Sequence, residues 1–262
     1  MDFQRFIAIG DSYTEGMSDE RKYGQYRGWA DRVADIMAKH NPDFTYANLA
    51  VRGKLVHQVL NEQIAPAIAQ VTGPQTLLSF HAGANDVIRF GYKANIVLPL
   101  YADAVRRLAA SGATLILFTV LEKTGNTGKA AEIWEQRFSE FNRNVRAVGQ
   151  EVGAIIADAN EDVVFSDRRF LAFDRLHLNV VGHERVAQAI LELIDLPFDE
   201  RWRDPLPQVK QKHRLFRAGI TLLWFITFAL PWMGRRIRGK SSGDGRRCKY
   251  PIAIHWPLTY LD

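Results

Sequence analysis

Short apolar runs alternate along this chain with stretches whose apolar residues recur every three or four positions. Runs at Arg5–Ile9, Phe44–Asn48, Thr76–His81, Thr114–Val120 and Ala154–Asp158 predict strands. Helical spacing between and after them predicts helices over Trp29–Lys39, Val56–Ile64, Ile96–Ala110, Ala130–Val152 and Gly182–Leu193. Trp29, Val33, Ile36 and Met37 mark one face of the first, and Val97, Leu100, Tyr101, Ala104 and Leu108 one face of the third, which Ser111-Gly112 ends. Strands that alternate with helices predict an α/β fold: a three-layer α/β/α arrangement around a parallel sheet of about five strands.

The pattern changes near Leu196-Pro197. Pro197, Pro205 and Pro207 mark a linker, which divides the chain into a domain over 1–196 and an extension over 197–262. The extension holds an apolar helix over 218–233, followed by Arg235, Arg236, Arg238 and Lys240. Ser241–Gly245 reads as a flexible turn and the last residues as irregular. Charge sharpens the division: residues 201–262 carry a net +10 and residues 1–200 a net −5. A basic tail on an acidic body suits docking onto that body or attraction to an anionic surface. For the apolar helix the first reading is packing on the body or on a partner copy. Peripheral membrane contact comes second, with Trp224, Trp232 and the cations as an interfacial anchor. A true span comes last, since 16 residues fall short of the roughly 20 a bilayer needs. No nucleic-acid motif accompanies the charge, so no nucleic-acid partner is expected.

With 262 residues, 47% of them hydrophobic, the chain can bury one sizeable core. Its one cysteine, Cys248, leaves no internal disulfide to form. Met1–Arg5 lacks the basic region and long apolar core of a leader, so the expected location is the cytoplasm, with membrane association through the tail as the variant.

Candidate chemistry gathers at strand ends. Gly10-Asp11-Ser12 follows the first strand, Leu49–Gly53 the second and Gly83-Ala84-Asn85-Asp86 the third. In a parallel sheet, loops at the carboxyl ends of strands form the site. A serine hydroxyl needs a base, and Asp174-Arg175-Leu176-His177 offers an imidazole with a carboxylate three residues before it. Each piece has a plain alternative. Ser12 alone reads as a helix N-cap, Asn85-Asp86 as a turn, and Asp174 with His177 as an exposed pair. Their joint occurrence outweighs these. Asp11 is read as structural, His81 as supporting the site from a strand end, and His183 as a packed helix residue. His40, His57, His213 and His255 form no metal-ligand pattern, and neither metal nor cofactor is expected. No Gly-x-Ser-x-Gly elbow surrounds Ser12.

From about Arg5 to Leu193 the arrangement resembles the SGNH (GDSL) hydrolase superfamily. Gly10-Asp11-Ser12, Gly53, Gly83-x-Asn85-Asp86 and Asp174-x-x-His177 stand in that family's order. The resemblance implies a serine esterase or lipase-type hydrolase that cleaves small-molecule or lipid-like acyl esters through an acyl-enzyme. Ser12 would be its nucleophile, His177 its base and Asp174 the group that orients His177. The oxyanion donors would be the backbone N–H groups of Ser12 and Gly53 and the side-chain amide of Asn85. Arg52, where many members carry a smaller residue, is expected to affect access or substrate charge. The tail around Pro231–Gly245 is similar to those of actinobacterial members. Thioesterase, carbohydrate O-acetylesterase and lysophospholipase activities all fit, and the oligomeric state is open. The rival reading is a non-catalytic binding protein of the same fold, docked to membrane or partner by its tail.

Overall fold

The computed structural model describes residues 2–22, 24–123, 128–209 and 213–257. Five strands match the expected runs: β1 (Arg5–Gly10), β2 (Thr45–Asn48), β3 (Thr76–His81), β4 (Thr114–Phe118) and β5 (Ile155–Ala157). They pair in parallel in the order β5-β4-β3-β1-β2. β1 therefore lies between β3 and β2, and the loops after these three strands are neighbours.

Alternation along β1 builds both faces of the core. Ile7 and Ile9 point to one side, where helices α2 (Val56–Glu62), α3 (Ala94–Ala109) and α4 (Lys129–Val152) pack. Phe6 and Ala8 point to the other, against α1 (Gly28–His40) and α5 (Val180–Leu193). The helix expected over Val56–Ile64 breaks at Gln63 and resumes over Ile64–Ile68. A short hairpin pairs Arg21–Lys22 with Gln25–Tyr26.

Two expectations for the extension are corrected. The end of the chain is not irregular up to Pro257: Tyr250–His255 forms β6, which runs antiparallel to β2 as a sixth strand. Residues 258–262 lie outside the described residues. Trp256 is buried at 1% exposure, its indole N–H donates to Asp35 Oδ1 (2.8 Å), and its ring meets Tyr46 edge-on at 5.0 Å. Just before β6, the Lys249 ammonium is buried and donates to Asp31 Oδ1 (2.7 Å) and to the carbonyls of Tyr26 (2.8 Å) and Arg27 (3.1 Å). A buried ammonium needs such a full set of acceptors. Part of the basic tail thus completes the acidic body.

The second correction concerns the apolar helix. It runs over Arg214–Trp224, widens into a π turn at Phe225–Ala229 and continues over Leu230–Ile237; the whole is α6. Ile220, Trp224, Phe228 and Trp232 are half-buried, but no residue of the 18-residue apolar window is buried. The helix meets the body at Trp224 and Thr221, which bond Asp174 and Arg175, and it is not covered. The side chains of Arg217 and Arg236 lie outside the described residues.

Trp256 tests the place of β6 in the core. Trp256→Ala should lower the unfolding free energy by about 3–5 kcal/mol, read as a lower urea midpoint at constant slope. A wild-type midpoint would contradict the packing described.

Candidate active site

At the end of β1 the backbone leaves little room. Gly10 has φ +144°, and a Cβ placed on it would lie 2.1 Å from the His81 carbonyl oxygen of β3. Only glycine fits so close an approach. The Gln63 side chain clamps the same residue: its oxygen accepts from Gly10 N–H (2.8 Å) and its Nε2 donates to the Gly10 carbonyl (2.9 Å). The chain then turns into a single helical turn, Ser12–Glu15, capped by Asp11, whose Oδ1 accepts from Tyr13 N–H (3.1 Å).

Ser12 is thereby raised at the sheet edge, and the Asp174–His177 segment meets it. His177 Nε2 lies 3.0 Å from Ser12 Oγ, and His177 Nδ1 lies 2.6 Å from Asp174 Oδ2. This network assigns the Nδ1–H tautomer, which leaves the Nε2 lone pair facing the hydroxyl. Two residues separate Asp174 from His177, so the segment must turn sharply. Asp174 Oδ1 accepts the N–H groups of Leu176 and His177, both at 3.0 Å, and Arg175 adopts the left-handed φ of 60°. The Ala172 N–H closes the turn on the His177 carbonyl (2.8 Å). Burial opposes the charge on Asp174. The hydrogen bond and charge of His177 and the two N–H donors outweigh it and hold the carboxyl below its ordinary pKa.

The loops after β2 and β3 flank this centre. Leu49 N–H donates to Ala8 O (2.9 Å) and Val51 N–H to Gly10 O (3.2 Å), so the 49–53 loop continues alongside β1. Asn85 Nδ2 donates to Asp11 Oδ2 (2.9 Å) and to the Lys54 carbonyl (3.2 Å). Asp11 also faces His81 Nδ1 at 3.3 Å, and His81 stacks on Tyr13 at 4.3 Å. Asp11 and His81 are thus packed supports of the site. Asp86 Oδ2 accepts from Val56 N–H at the start of α2 (3.0 Å), and burial raises its pKa to about 6.

Arg52 departs from expectation. Its guanidinium is buried against the Glu15 carboxylate, which also accepts the Arg52 backbone N–H (2.6 Å). The charge is spent on locking the 49–53 loop to the serine turn, so Arg52 presents no open cation to a substrate. The turn 241–245 is also different from its reading as flexible. Ser241 Oγ donates to the Gly53 carbonyl (3.2 Å), and a Cβ on Gly53, at φ +72°, would lie 2.2 Å from that hydroxyl. Asp244 Oδ2 accepts from Ser241 N–H (2.8 Å). Glycine at position 53 therefore answers to the tail packed on it. Gln63, Glu15 and Ser241 escaped the sequence reading because their partners are distant in sequence and no local pattern marks them.

A serine, an imidazole and a carboxylate thus stand in one hydrogen-bonded chain at the carboxyl ends of the parallel strands. Residues 8–185 match the model of the GDSL-like lipase/acylhydrolase family, and the chain belongs to that family. It is a carboxylic ester hydrolase. No match is found among curated proteins. Among solved structures, an acetylxylan esterase, Axe2 of Geobacillus stearothermophilus, is similar with TM-score 0.60 and 20% identity, over 76% of this chain and 97% of that one. TesA gives TM-score 0.58 and 16% identity over 73% and 98%. LAE5, an α/β hydrolase enzyme from the metagenome of Lake Arreo, gives 0.56 and 18% over 73% and 95%. These likenesses establish a shared fold.

His183 of α5 ties that helix to the chain just after the Ser12–Glu15 turn, its Nε2 bonded to the Met17 carbonyl (3.1 Å). Burial lowers its pKa from 6.5 to about 4. Between these values the unfolded chain takes up a proton that the folded chain refuses, so this contribution to stability is lost as pH falls from about 6.5 to about 4. Asp86, raised from 3.8 to about 6, acts with the opposite sign in an overlapping window. A comparison of the wild type with His183→Gln isolates the histidine. The wild type should lose more stability than the variant on acidification across this window. Parallel pH profiles of denaturation would show that His183 is not held neutral.

Proposed function

We propose that the chain hydrolyses acyl esters through a Ser12–His177–Asp174 triad and an acyl-enzyme. The observation that carries this reading is the hydrogen-bonded chain from Ser12 Oγ to His177 Nε2 (3.0 Å) and from His177 Nδ1 to Asp174 (2.6 Å). Ser12 Oγ attacks the ester carbonyl carbon while its proton passes to His177 Nε2. Asp174 keeps the imidazole in the required tautomer and stabilises the imidazolium. As the tetrahedral intermediate collapses, His177 gives the proton to the departing alkoxide, and the alcohol leaves. Water then attacks the acyl-enzyme as His177 takes its proton, and when the second tetrahedral intermediate collapses His177 returns that proton to Ser12 Oγ as the acid leaves.

The oxyanion of each intermediate needs donors fixed in advance. The proposed set is Ser12 N–H, Gly53 N–H and Asn85 Nδ2. Asn85 already donates to Asp11 and to the Lys54 carbonyl, the latter at the longer 3.2 Å. The oxyanion would replace the Lys54 carbonyl as acceptor, while the Asp11 bond keeps the amide in place. The substrate class we propose is a small-molecule or lipid-like acyl ester. A non-catalytic binding role would give no reason for a serine hydroxyl aligned on an imidazole.

His177→Ala and Ser12→Ala should each abolish most turnover of a p-nitrophenyl ester. The double variant should be little worse than either, because the pair acts as a unit. Independent, multiplicative losses would separate His177 from Ser12. Asn85→Ala should lower kcat by roughly 10²–10³-fold and change KM little. An unchanged kcat with a raised KM would instead make Asn85 a substrate-positioning group.

A further inference from the structure

α6 carries apolar side chains on both of its faces. Ile220, Trp224, Phe228 and Trp232 recur every four residues and are half-buried, and Trp224 among them bonds the body at the Asp174 carbonyl. On the opposite face Leu215 (75% exposed), Leu222 (60%), Ile226 (54%) and Ile237 (86%) point to solvent. Among the described residues, Arg214–Arg235 is the one helix long and apolar enough to cross a membrane by length and composition. A continuous apolar face of this length marks an interaction surface.

The topology decides how a bilayer would meet it. Before α6, Arg169 holds the carbonyls of Pro207 (2.6 Å) and Leu206 (3.2 Å), and Trp202 is buried against the body. After α6, Ser241 bonds Gly53 and β6 joins the central sheet. A single crossing would put these two flanks on opposite sides of a membrane, yet both belong to one folded body. The helix therefore lies along a surface and does not cross it. Charge selects that surface. Arg235, Arg238, Lys240, Arg246 and Arg247 follow the apolar face, and all five are exposed. Exposed cations beside an apolar helix face match anionic lipid headgroups.

The same helix grips the segment that holds Asp174 and His177. Trp224 Nε1 donates to the Asp174 carbonyl (3.0 Å), and the Arg175 guanidinium stacks on the Trp224 ring (4.6 Å) and donates to Thr221 Oγ1 (3.0 Å). Phe173 and Leu176, which flank these gripped residues, are themselves exposed apolar side chains. We propose that α6 is an in-plane docking helix that seats the enzyme on a bilayer containing anionic phospholipid, with the Phe173–His177 segment beside the lipid. Docking does not depend on the triad assignment, and its test reads binding separately from turnover.

The experiment is flotation of the full chain with vesicles of phosphatidylcholine alone and of phosphatidylcholine mixed with phosphatidylglycerol. The wild type should bind the mixed vesicles more strongly, and added salt should weaken that binding. Leu222→Asp with Ile226→Asp should reduce partitioning by about tenfold or more. Arg235→Glu with Arg238→Glu should remove the preference for anionic vesicles. Both variants should hydrolyse a soluble short-chain ester at the wild-type rate. Failure of the wild type to float with either vesicle, or equal binding by the Leu222/Ile226 variant, overturns the proposal. So does sedimentation showing a wild-type dimer that this variant dissociates, because a second copy would then cover the face.

Discussion

The contact on which this structure depends is the approach of Gly10 to the His81 carbonyl. β1 and β3 stay in register as far as the Gly10–His81 pair, at the carboxyl edge of the sheet. No side chain fits there, and the two backbone polar groups of Gly10 are met by the single amide of Gln63. Buried backbone groups left unpaired would each cost about 1–3 kcal/mol. Gln63 removes that cost and fixes the direction in which the chain leaves the strand. Asp11 then serves both neighbours, capping the serine turn and accepting from Asn85. The position of Ser12 thus follows from backbone packing before any catalytic partner is considered.

The tail frames the same site from outside. Trp224 holds the Asp174 carbonyl on one side, and Ser241 holds the Gly53 carbonyl on the other. Lys249 and Trp256 secure the far end through Asp31 and Asp35 of α1. Charge separation along the chain, +10 in residues 201–262 against −5 in residues 1–200, is therefore partly consumed inside the fold. Exposed Arg235, Arg238, Lys240, Arg246 and Arg247 stand at the end of α6 and beyond it. One segment completes the sheet, braces two loops of the site and presents an apolar face.

Much of this was legible in the sequence, for physical reasons. The central strands β1, β3 and β4 are buried on both faces, so they read as nearly continuous apolar runs. The Gly-Asp-Ser turn and the Asp-x-x-His segment are local, and the Asp174 turn is closed by its own neighbours. β6 was hidden because an edge strand with Pro251 inside it and exposed Ile252 carries neither a buried run nor a clean alternation. Gln63, Glu15 and Ser241 act on partners 53, 37 and 188 residues away, beyond any local pattern. Periodicity identified the apolar helix but not what covers it. Arg52 looked like a free cation until folding placed Glu15 against it.

On the proposed mechanism Ser12 carries the acyl group during turnover. Rapid mixing of excess enzyme-saturating p-nitrophenyl ester with the wild type, with the quenched protein then mapped by peptide mass spectrometry, measures this directly. A burst of nitrophenol close to one equivalent per chain is expected when deacylation is slow, with the acyl mass on the peptide containing Ser12. An acyl mass on another residue, or turnover of the same slowly deacylated ester with neither burst nor adduct, would contradict it.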